Sequence, residues 1–520
     1  MRLDPASSAA EVHASVDGSP KMRTAVVGHP RELLLCAAVA IALVALRSIV
    51  PMAYERFDFN SDQAIVGLMA KHLSEFKAFP LFFYGQHYML GVQAWIAVPF
   101  FWAGGPSVAM LRLPLVIIGA GAAISFMLVL VRDGMRPMLA LVATLPIIAT
   151  TPIVSAALLE TLGASVELFA YVVVLWWLRR RPYAFGALLC VAILHREFAL
   201  FAATSIVLLQ WRDRFWRAAD AAKAAASFAC VWLLIDLLKR SVNMYGPSGG
   251  VHNSGSLILQ AQQVSMWLSI EVKPYIARLS RMLTEGLPDM FGARAHLIRS
   301  YGPISTISAG SIVAGSAFGA ALVLCGLRLV WRGATAPAGS TRDDRSLFPL
   351  YLALIGLQAL LVYGLNRGIV TSWPTIIRYV LFALLLPVAL FGAFFHYEPS
   401  PRYRGAAVAL ISVWAALTVV DNIRLVREFL VSPPHNNYRE LADYLVGHRI
   451  KYGRAGYWDC YVVTFLSRER VIVASTEKVR IGAYQTRVDA NAPNAVVLHR
   501  QPCSGGKAVA SWCIEDPFGR

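Results

Sequence analysis

The stretch DFNSDQAIVGLMAKHLSEFKAFPLFFYGQHYMLGVQAW, residues 58–95, decides the reading of this chain. It places Asp58, Asp62 and a run of aromatic and polar side chains directly after the apolar segment 33–50. Carboxylates beside a membrane are costly enough to call for a functional reason. The spacing within the stretch predicts two helices. Ile65, Leu68, Met69, Leu73 and Phe76 recur at helical intervals with Lys71 and Glu75 off that face, so 61–76 reads as an amphipathic helix capped by Ser61. Asp62 then falls in the first turn, where the helix dipole favours its ionised, proton-accepting form. Residues 88–103 read as a helix lying in the membrane interface, with Tyr88, Trp95 and Trp102 at headgroup level.

Outward from this stretch the chain is too apolar for a soluble protein. Of its 520 residues 57% are hydrophobic and 15% charged, with mean hydropathy +0.55, whereas soluble domains carry about a quarter charged residues. Taking roughly 17–25 residues per crossing, spans fall near 33–52, 108–131, 137–153, 162–178, 183–195, 198–211, 218–237, 304–330, 347–365, 379–395 and 405–421, about eleven in all. The first lacks a small-residue cleavage site and reads as an anchor rather than a signal peptide. The short runs 183–195 and 198–211 meet at His195-Arg196-Glu197, which predicts a hairpin that stops partway or lines a wet cavity.

The formal net charge is +17, but Lys and Arg lie between apolar runs and form no stripe interleaved with aromatics. That argues against a nucleic-acid partner and for a topological role. With the N-terminus cytoplasmic, Arg132 and Arg136, Arg179 to Arg181, Arg212 and Arg214, Arg328 and Arg332, and Arg402 and Arg404 all fall on one side. Residues 1–30 are then a disordered cytoplasmic tail, 31–424 the membrane domain with outer loops 53–107 and 238–303, and 425–520 a small α/β domain on the outer face. The last contains the helix-like NYRELADYLVGH and β-rich runs at 470–473 and 495–498, with Tyr457, Trp458 and Tyr461 read as a cover over the mouth of a site or, more plainly, as its own core.

The first outer loop carries S-D-Q-A-x-x-G-L-M-A-x-H-L at 61–73 and F-P-L-F-F-Y-G-Q-x-Y-M at 79–89, followed by L-R-L-P at 111–114. This arrangement resembles the bacterial GT-C glycosyltransferases, relatives of the protein O-mannosyltransferases (glycosyltransferase family 39) and of the aminoarabinose transferase acting on lipid A. The resemblance continues at 163–167, at Arg378-Tyr379 and through YGRAGYWDCYVVTFLSRERVIVAS at 452–475, so it touches both ends of the chain. It implies a polytopic α-helical membrane protein of GT-C type with interfacial helices in the first outer loop. It also implies transfer of a sugar from a polyprenyl-phosphate carrier to an acceptor hydroxyl or amine, by inverting displacement, on the periplasmic face of a bacterial inner membrane. Such chemistry requires a base on the nucleophile and cationic donors on the departing phosphate. By motif position Asp62 takes the first role. Many relatives carry Asp-Glu here, whereas Gln63 removes the second carboxylate. A divalent metal therefore finds no support in the sequence, since Mg²⁺ and Mn²⁺ prefer several hard oxygen ligands, and no cofactor is expected.

The remaining candidates each have a plainer reading beside the functional one. Asp58, Glu160 and Glu167 are candidate second acids; alternatively Asp58 is a solvated loop charge, and the glutamates cap spans or pair with a nearby arginine. Arg378 with Tyr379, and His195 with Arg196, are candidates for the carrier phosphate, because a guanidinium fork matches its oxygens. Against this stand interfacial snorkelling for Arg378 and internal pairing with Glu197 for Arg196. Tyr84, Gln86 and His87 read as a strip contacting sugar or carrier, or as interface anchors.

The expected partners are a polyprenyl-phosphate-linked sugar, a glycan, lipid or protein acceptor, and membrane lipids. Cys36, Cys190, Cys230 and Cys325 lie in apolar runs as small fillers. Cys503 and Cys513 share the outer tail, where a periplasmic location would allow a disulfide and leave Cys460 free. No Walker loop, GxGxxG, zincin helix or Ser-His-Asp signature is present, which argues against a soluble nucleotide-sugar donor. The competing reading is a transporter or flippase of lipid-linked sugars. The halves show no inverted repeat, and the acidic motif sits in a loop helix rather than mid-membrane, which favours the transferase.

Overall fold

The computed structural model describes residues 30–55, 57–86, 88–162, 165–213, 216–241, 256–268, 271–298, 303–335, 347–366, 377–503 and 505–515. The tail expected at 1–30 lies outside the described residues apart from Pro30, as do His87, Gly163 and parts of the loop expected at 238–303.

Six described helices are long and apolar enough to cross a membrane: Pro30–Ala53, Val108–Arg132, Ala218–Lys239, Ala309–Thr335, Leu347–Leu365 and Pro401–Val431. Pro137–Ile148 and Pro152–Leu158 form a broken span, bent by 83°. The other apolar runs fold as shorter helices, Val92–Gly104, Val166–Leu178, Pro182–His195, Ala199–Trp211 and Leu381–Tyr397. At 1.5 Å per residue the 14 residues of Pro182–His195 span about 21 Å, well short of a hydrocarbon core of about 30 Å. Among the described residues six helices, or seven with the broken span, meet the length and apolarity of a crossing, so the expected count of about eleven is not confirmed. An apolar run signals removal from water, and a protein interior satisfies that as well as lipid does. The chain is a multi-pass membrane protein.

The broken span is written into the sequence. Pro152 drives Thr151 out of the helical region, to φ −62° and ψ 159°. Carbonyls freed inside an apolar bundle need donors from the protein itself. Arg47, only 7% exposed on the first span, supplies them: its Nη1 donates to the carbonyls of Ile147 (2.8 Å) and Ile148 (3.2 Å) and to Thr150 Oγ1 (3.0 Å). Asn422 Nδ2 donates to the Thr150 carbonyl at 2.9 Å. An intramembrane arginine here serves as a helix cap. The short helix Pro152–Leu158 then packs against the turn Ile377–Tyr379, which carries Glu160 towards Arg378.

Two antiparallel strands, β1 (Ala295–Ile298) and β2 (Pro303–Thr306), form a small hairpin. The C-terminal domain is built on a five-stranded sheet of β3 (Tyr452–Ala455), β4 (Ile472–Ser475), β5 (Ala495–Arg500), β6 (Lys507–Val509) and β7 (Trp512–Glu515). Their spatial order is β4-β3-β5-β7-β6, parallel across β4-β3-β5 and antiparallel beyond. Helices Asn437–Gly447, Tyr457–Leu466 and Gly482–Asp489 accompany it. The boundary expected at 424/425 falls inside the 31-residue helix Pro401–Val431, because a helix that leaves a membrane need not end there. Cys503 and Cys513 form a disulfide, and Cys460 is free and buried.

This domain is joined to the first outer loop by one continuous core. Ile65, Leu68, Met69 and Phe101 from the loop pack in the same cluster as Leu441, Tyr461, Phe465 and Trp512. That union overturns the amphipathic reading of 61–76. The helix runs Ser61–Ser74 and is buried nearly all round, Lys71 and His72 included, while Phe76 lies beyond its end at 68% exposure. Its N-cap is Asn60 rather than Ser61, with the Asn60 side chain accepting from the Gln63 amide at 3.2 Å. The side that periodicity assigns to water is covered by helix Tyr457–Leu466. Gly67 makes this possible, since a Cβ there would stand 2.5 Å from the Phe465 ring. Helix Val92–Gly104 forms as expected and turns Trp95 and Trp102 outward.

Candidate functional site

Asp62 lies in the first turn of helix Ser61–Ser74, half-buried where the first outer loop meets the C-terminal domain. The Tyr457 hydroxyl donates a short hydrogen bond to Asp62 Oδ1, and Arg480 Nε donates to that same hydroxyl at 3.4 Å. The chain of donors therefore runs from guanidinium to phenol to carboxylate. Burial first, and then the Asp62 charge, raises Tyr457 above its ordinary pKa. Lys478 is nearby and is lowered by burial and by Arg480, with Asp62 acting in the other direction.

Arg480 is the hinge of this arrangement. Its Nη1 donates to the Gly85 carbonyl at 3.1 Å. With the amide oriented as its neighbours require, Gln86 Oε1 accepts from Arg480 Nη2 at 2.8 Å and Nη1 at 3.2 Å, and from Tyr88 at 3.3 Å. Gly85 has φ +69°, and a Cβ on it would press within 3.2 Å of the Arg480 Cα, so both the turn and the close approach call for glycine. Tyr88 sits in the combined field of Arg480, Arg196, Glu197 and Asp62. The strip 84–88 is thus split. Gln86 faces the charged recess, whereas Tyr84 is fully buried and hydrogen-bonded to His72 Nδ1 at 2.8 Å. That burial corrects the expectation that Tyr84 contacts a substrate. His87 lies outside the described residues.

A second cluster gathers one helical turn before Asp62. Asp58, at φ +50°, keeps accessible surface. Burial, followed by the nearby Glu160, pushes its carboxyl up to about 7, with Arg112 and Arg378 opposing. Arg378 Nη1 donates to Glu160 Oε1 at 2.7 Å, and its Nη2 to the Tyr379 hydroxyl at 3.4 Å. Arg378 is therefore held by an acid rather than snorkelling, and the plainer reading of Glu160, pairing with an arginine, is the one realised. Gln63 is fully buried. Its Nε2 donates to the Asp58 carbonyl, while its Oε1 accepts from Arg112 Nη2 (3.3 Å) and the Thr161 amide (3.3 Å). Gln63 is thus a neutral brace that seats Asp58 and Arg112.

Three expected residues are turned inward. Glu167 is buried and accepts from Gln93 Nε2 and from Ser165 Oγ, the latter at 2.6 Å. His195 is buried with Nδ1 3.0 Å from the Tyr171 hydroxyl. Arg196 donates to the Leu162 carbonyl and leaves its Nε buried without a hydrogen-bond partner. The first two are thus internal to the bundle, because the short hairpin packs His195 against the neighbouring helix. Arg196 is half-buried and adds its charge to the field at Tyr88.

Sequence reasoning preferred a core role for Tyr457 over a place at the mouth of the site, and missed Arg480 and Lys478 altogether. It also missed the seam beneath them. Glu469 takes hydrogen bonds from Lys71 Nζ (2.5 Å) and the Tyr484 hydroxyl (2.8 Å) and lies 3.0 Å from His72 Nε2. Burial would raise Glu469, but His72 and Lys71 hold it well below the ordinary carboxylate range. The motif at 452–475 already pointed to this segment, but nothing in it revealed which side chains turn towards the loop.

No protein-family model matches the sequence, and no curated protein sequence matches it significantly. Among solved structures, ArnT from Cupriavidus metallidurans bound to undecaprenyl phosphate superposes with a TM-score of 0.56 at 10% identity, covering 89% of this chain and 93% of that one. The archaeal oligosaccharyltransferase AglB from Archaeoglobus fulgidus, in complex with an inhibitory peptide and a dolichol-phosphate, gives 0.46 at 12% identity over 90% of this chain and 69% of its own. Over nearly the whole of both chains, this chain therefore shares the fold of ArnT.

Proposed function

We propose that this chain transfers a sugar from a polyprenyl-phosphate donor to an acceptor hydroxyl or amine on the periplasmic face of a bacterial inner membrane, with inversion at the anomeric carbon. The observation that carries the reading is a half-buried carboxylate, Asp62, oriented through Tyr457 by Arg480, with Lys478 nearby and Gln86 holding Arg480. In this scheme Tyr457, itself held by Arg480, occupies Oδ1, leaving Oδ2 to take the acceptor proton as its oxygen or nitrogen attacks. The bond from the anomeric carbon to the phosphate oxygen breaks, and the phosphate leaves with the electron pair. Cationic groups that need not move supply stabilisation where charge develops. Arg196, with its uncommitted Nε, Arg480 and Lys478 are the candidates nearest Asp62, and Arg378 with Tyr379 would hold the carrier across the Asp58 cluster. The scheme uses the donor and this chain's own groups alone. The undecaprenyl phosphate of the structurally similar ArnT supports the choice of carrier.

The test is a glycan profile, by mass spectrometry, of a strain lacking the gene, paired with release of polyprenyl phosphate by the purified protein from lipid-linked sugars. One missing sugar together with carrier release supports the transferase. An unchanged envelope, or movement of intact lipid-linked sugar across vesicles without carrier release, supports a flippase and overturns it.

A further inference from the structure

The sheet of the C-terminal domain gathers a second set of reactive side chains. In the β5–β7 register His499 lies directly opposite Cys513, and Val497 opposite Glu515. Side chains alternate along strands, so His499, Cys513 and Glu515 share one face, while Leu498, Trp512 and Ile514 enter the core on the other. One ligating atom from each of the three lies within 4.8 Å of the others. The disulfide from Cys513 brings Cys503 to the same place.

The hydrogen bonds of His499 add an independent sign. Its Nδ1 is 2.9 Å from the Arg500 carbonyl, which can only accept, so Nδ1 carries a hydrogen. Its Nε2 is 2.9 Å from Glu515 Oε1. In the neutral ring that leaves two lone-pair bearers face to face, an arrangement satisfied by a cation: a second proton on the ring, or a metal ion. A backbone carbonyl fixing one ring nitrogen is also what orients a metal-ligating histidine.

We propose that this face is a reduction-gated zinc site, in which Cys503, Cys513, His499 and Glu515 supply two sulfurs, one nitrogen and one oxygen to a single Zn²⁺. In the oxidised chain the sulfurs are spent on each other and bear no charge, and a proton on His499 fills the gap to Glu515. A thioredoxin-like dithiol delivers two electrons and two protons: the S–S bond breaks, Cys503 and Cys513 become thiols, and the dithiol becomes a disulfide. Zn²⁺ then displaces the two thiol protons and the extra imidazole proton. Zinc bonds of roughly 2.0–2.3 Å put tetrahedral ligand atoms about 3.3–3.8 Å apart, within the spread of the present cluster. The half-exposed His499 and Glu515 side chains leave the ion a way in. Binding would clamp the β6–β7 hairpin to β5.

The experiment uses the full-length purified chain, air-oxidised or reduced with dithiothreitol that is then removed anaerobically, and titrates it with Co²⁺ followed by Zn²⁺. The other five cysteines are free in both states, so the difference between the two reports Cys503 and Cys513. Expected are sulfur-to-cobalt charge-transfer and tetrahedral d–d bands at one equivalent, present only after reduction, bleached by Zn²⁺, and lost in His499→Ala and in Cys503→Ser. Circular dichroism checks that each variant is folded, and Glu515→Gln replaces one that is not. Identical spectra in the two redox states, no bands after reduction, or bands that survive both ligand substitutions would each overturn the site.

Discussion

Asp62→Asn keeps the shape of the side chain and its Oδ1, so the Tyr457 hydroxyl still has an acceptor and the loop–domain seam keeps its contacts. What disappears is the negative charge and the basicity. A positioned general base contributes about 10²–10⁴-fold, equivalent to roughly 2.7–5.4 kcal/mol at about 1.36 kcal/mol per tenfold. Tyr457→Phe is the milder perturbation. It removes one hydrogen bond to a charged group, worth about 1.5–3 kcal/mol, and leaves the carboxylate in place but less constrained, so a loss of roughly 10–150-fold is expected. If the tyrosine acts only by orienting Asp62, the double variant should be no slower than Asp62→Asn alone, since groups acting as a unit are not additive. Single-turnover carrier release from a saturating lipid-linked sugar separates chemistry from donor binding. A folded Asp62→Asn protein with near wild-type turnover would end the catalytic assignment and return it to Asp58. Strictly additive losses would mean that Tyr457 acts independently of Asp62.

Three further outcomes are expected. Arg378→Lys should raise the donor KM with little change in kcat, and Arg378→Ala should do so more severely, because a lysine cannot serve Glu160 and a phosphate with the same planar fork; unchanged donor saturation in both would make the Glu160 pair purely structural. Burial and the neighbouring Glu160 push the Asp58 carboxyl up to about 7, which favours its neutral form, so the protein should lose stability as pH rises from about 4 to 7. Asp58→Asn should therefore gain thermal stability over wild type across that window, and a pH-independent difference in Tm would refute it. Gly67→Ala drives a methyl into the Phe465 ring, which is itself packed against Phe59 and Phe101. Hydrogen exchange should then speed up in Ser61–Ser74 and Tyr457–Leu466 together, while exchange confined to one helix would mean that the seam does not depend on this contact.

The sequence by itself determined that the chain lives in a membrane, that its first outer loop is helical, and that Asp62 opens that helix. These follow from local quantities: mean apolarity, the recurrence of Ile65, Leu68, Met69 and Leu73, and a position in a motif. Local quantities could not count the crossings, because Pro182–His195 and Val166–Leu178 are as apolar as spans yet less than half as long as the 31-residue helix Pro401–Val431. Nor could they give the outer faces of helices. Lys71 and His72 read as solvated until the chain's far end covers them, with Glu469 arriving from nearly four hundred residues away. The same holds for the site. Asp62 is legible because a motif marks it, but Tyr457 and Arg480 become its partners only once a C-terminal domain docks on an N-terminal loop. Burial and hydrogen-bond partnership are properties of the whole packed chain, so tertiary structure alone decided which of the sequence's candidate groups keep accessible surface and which, like His195 and Tyr84, were drawn into its interior.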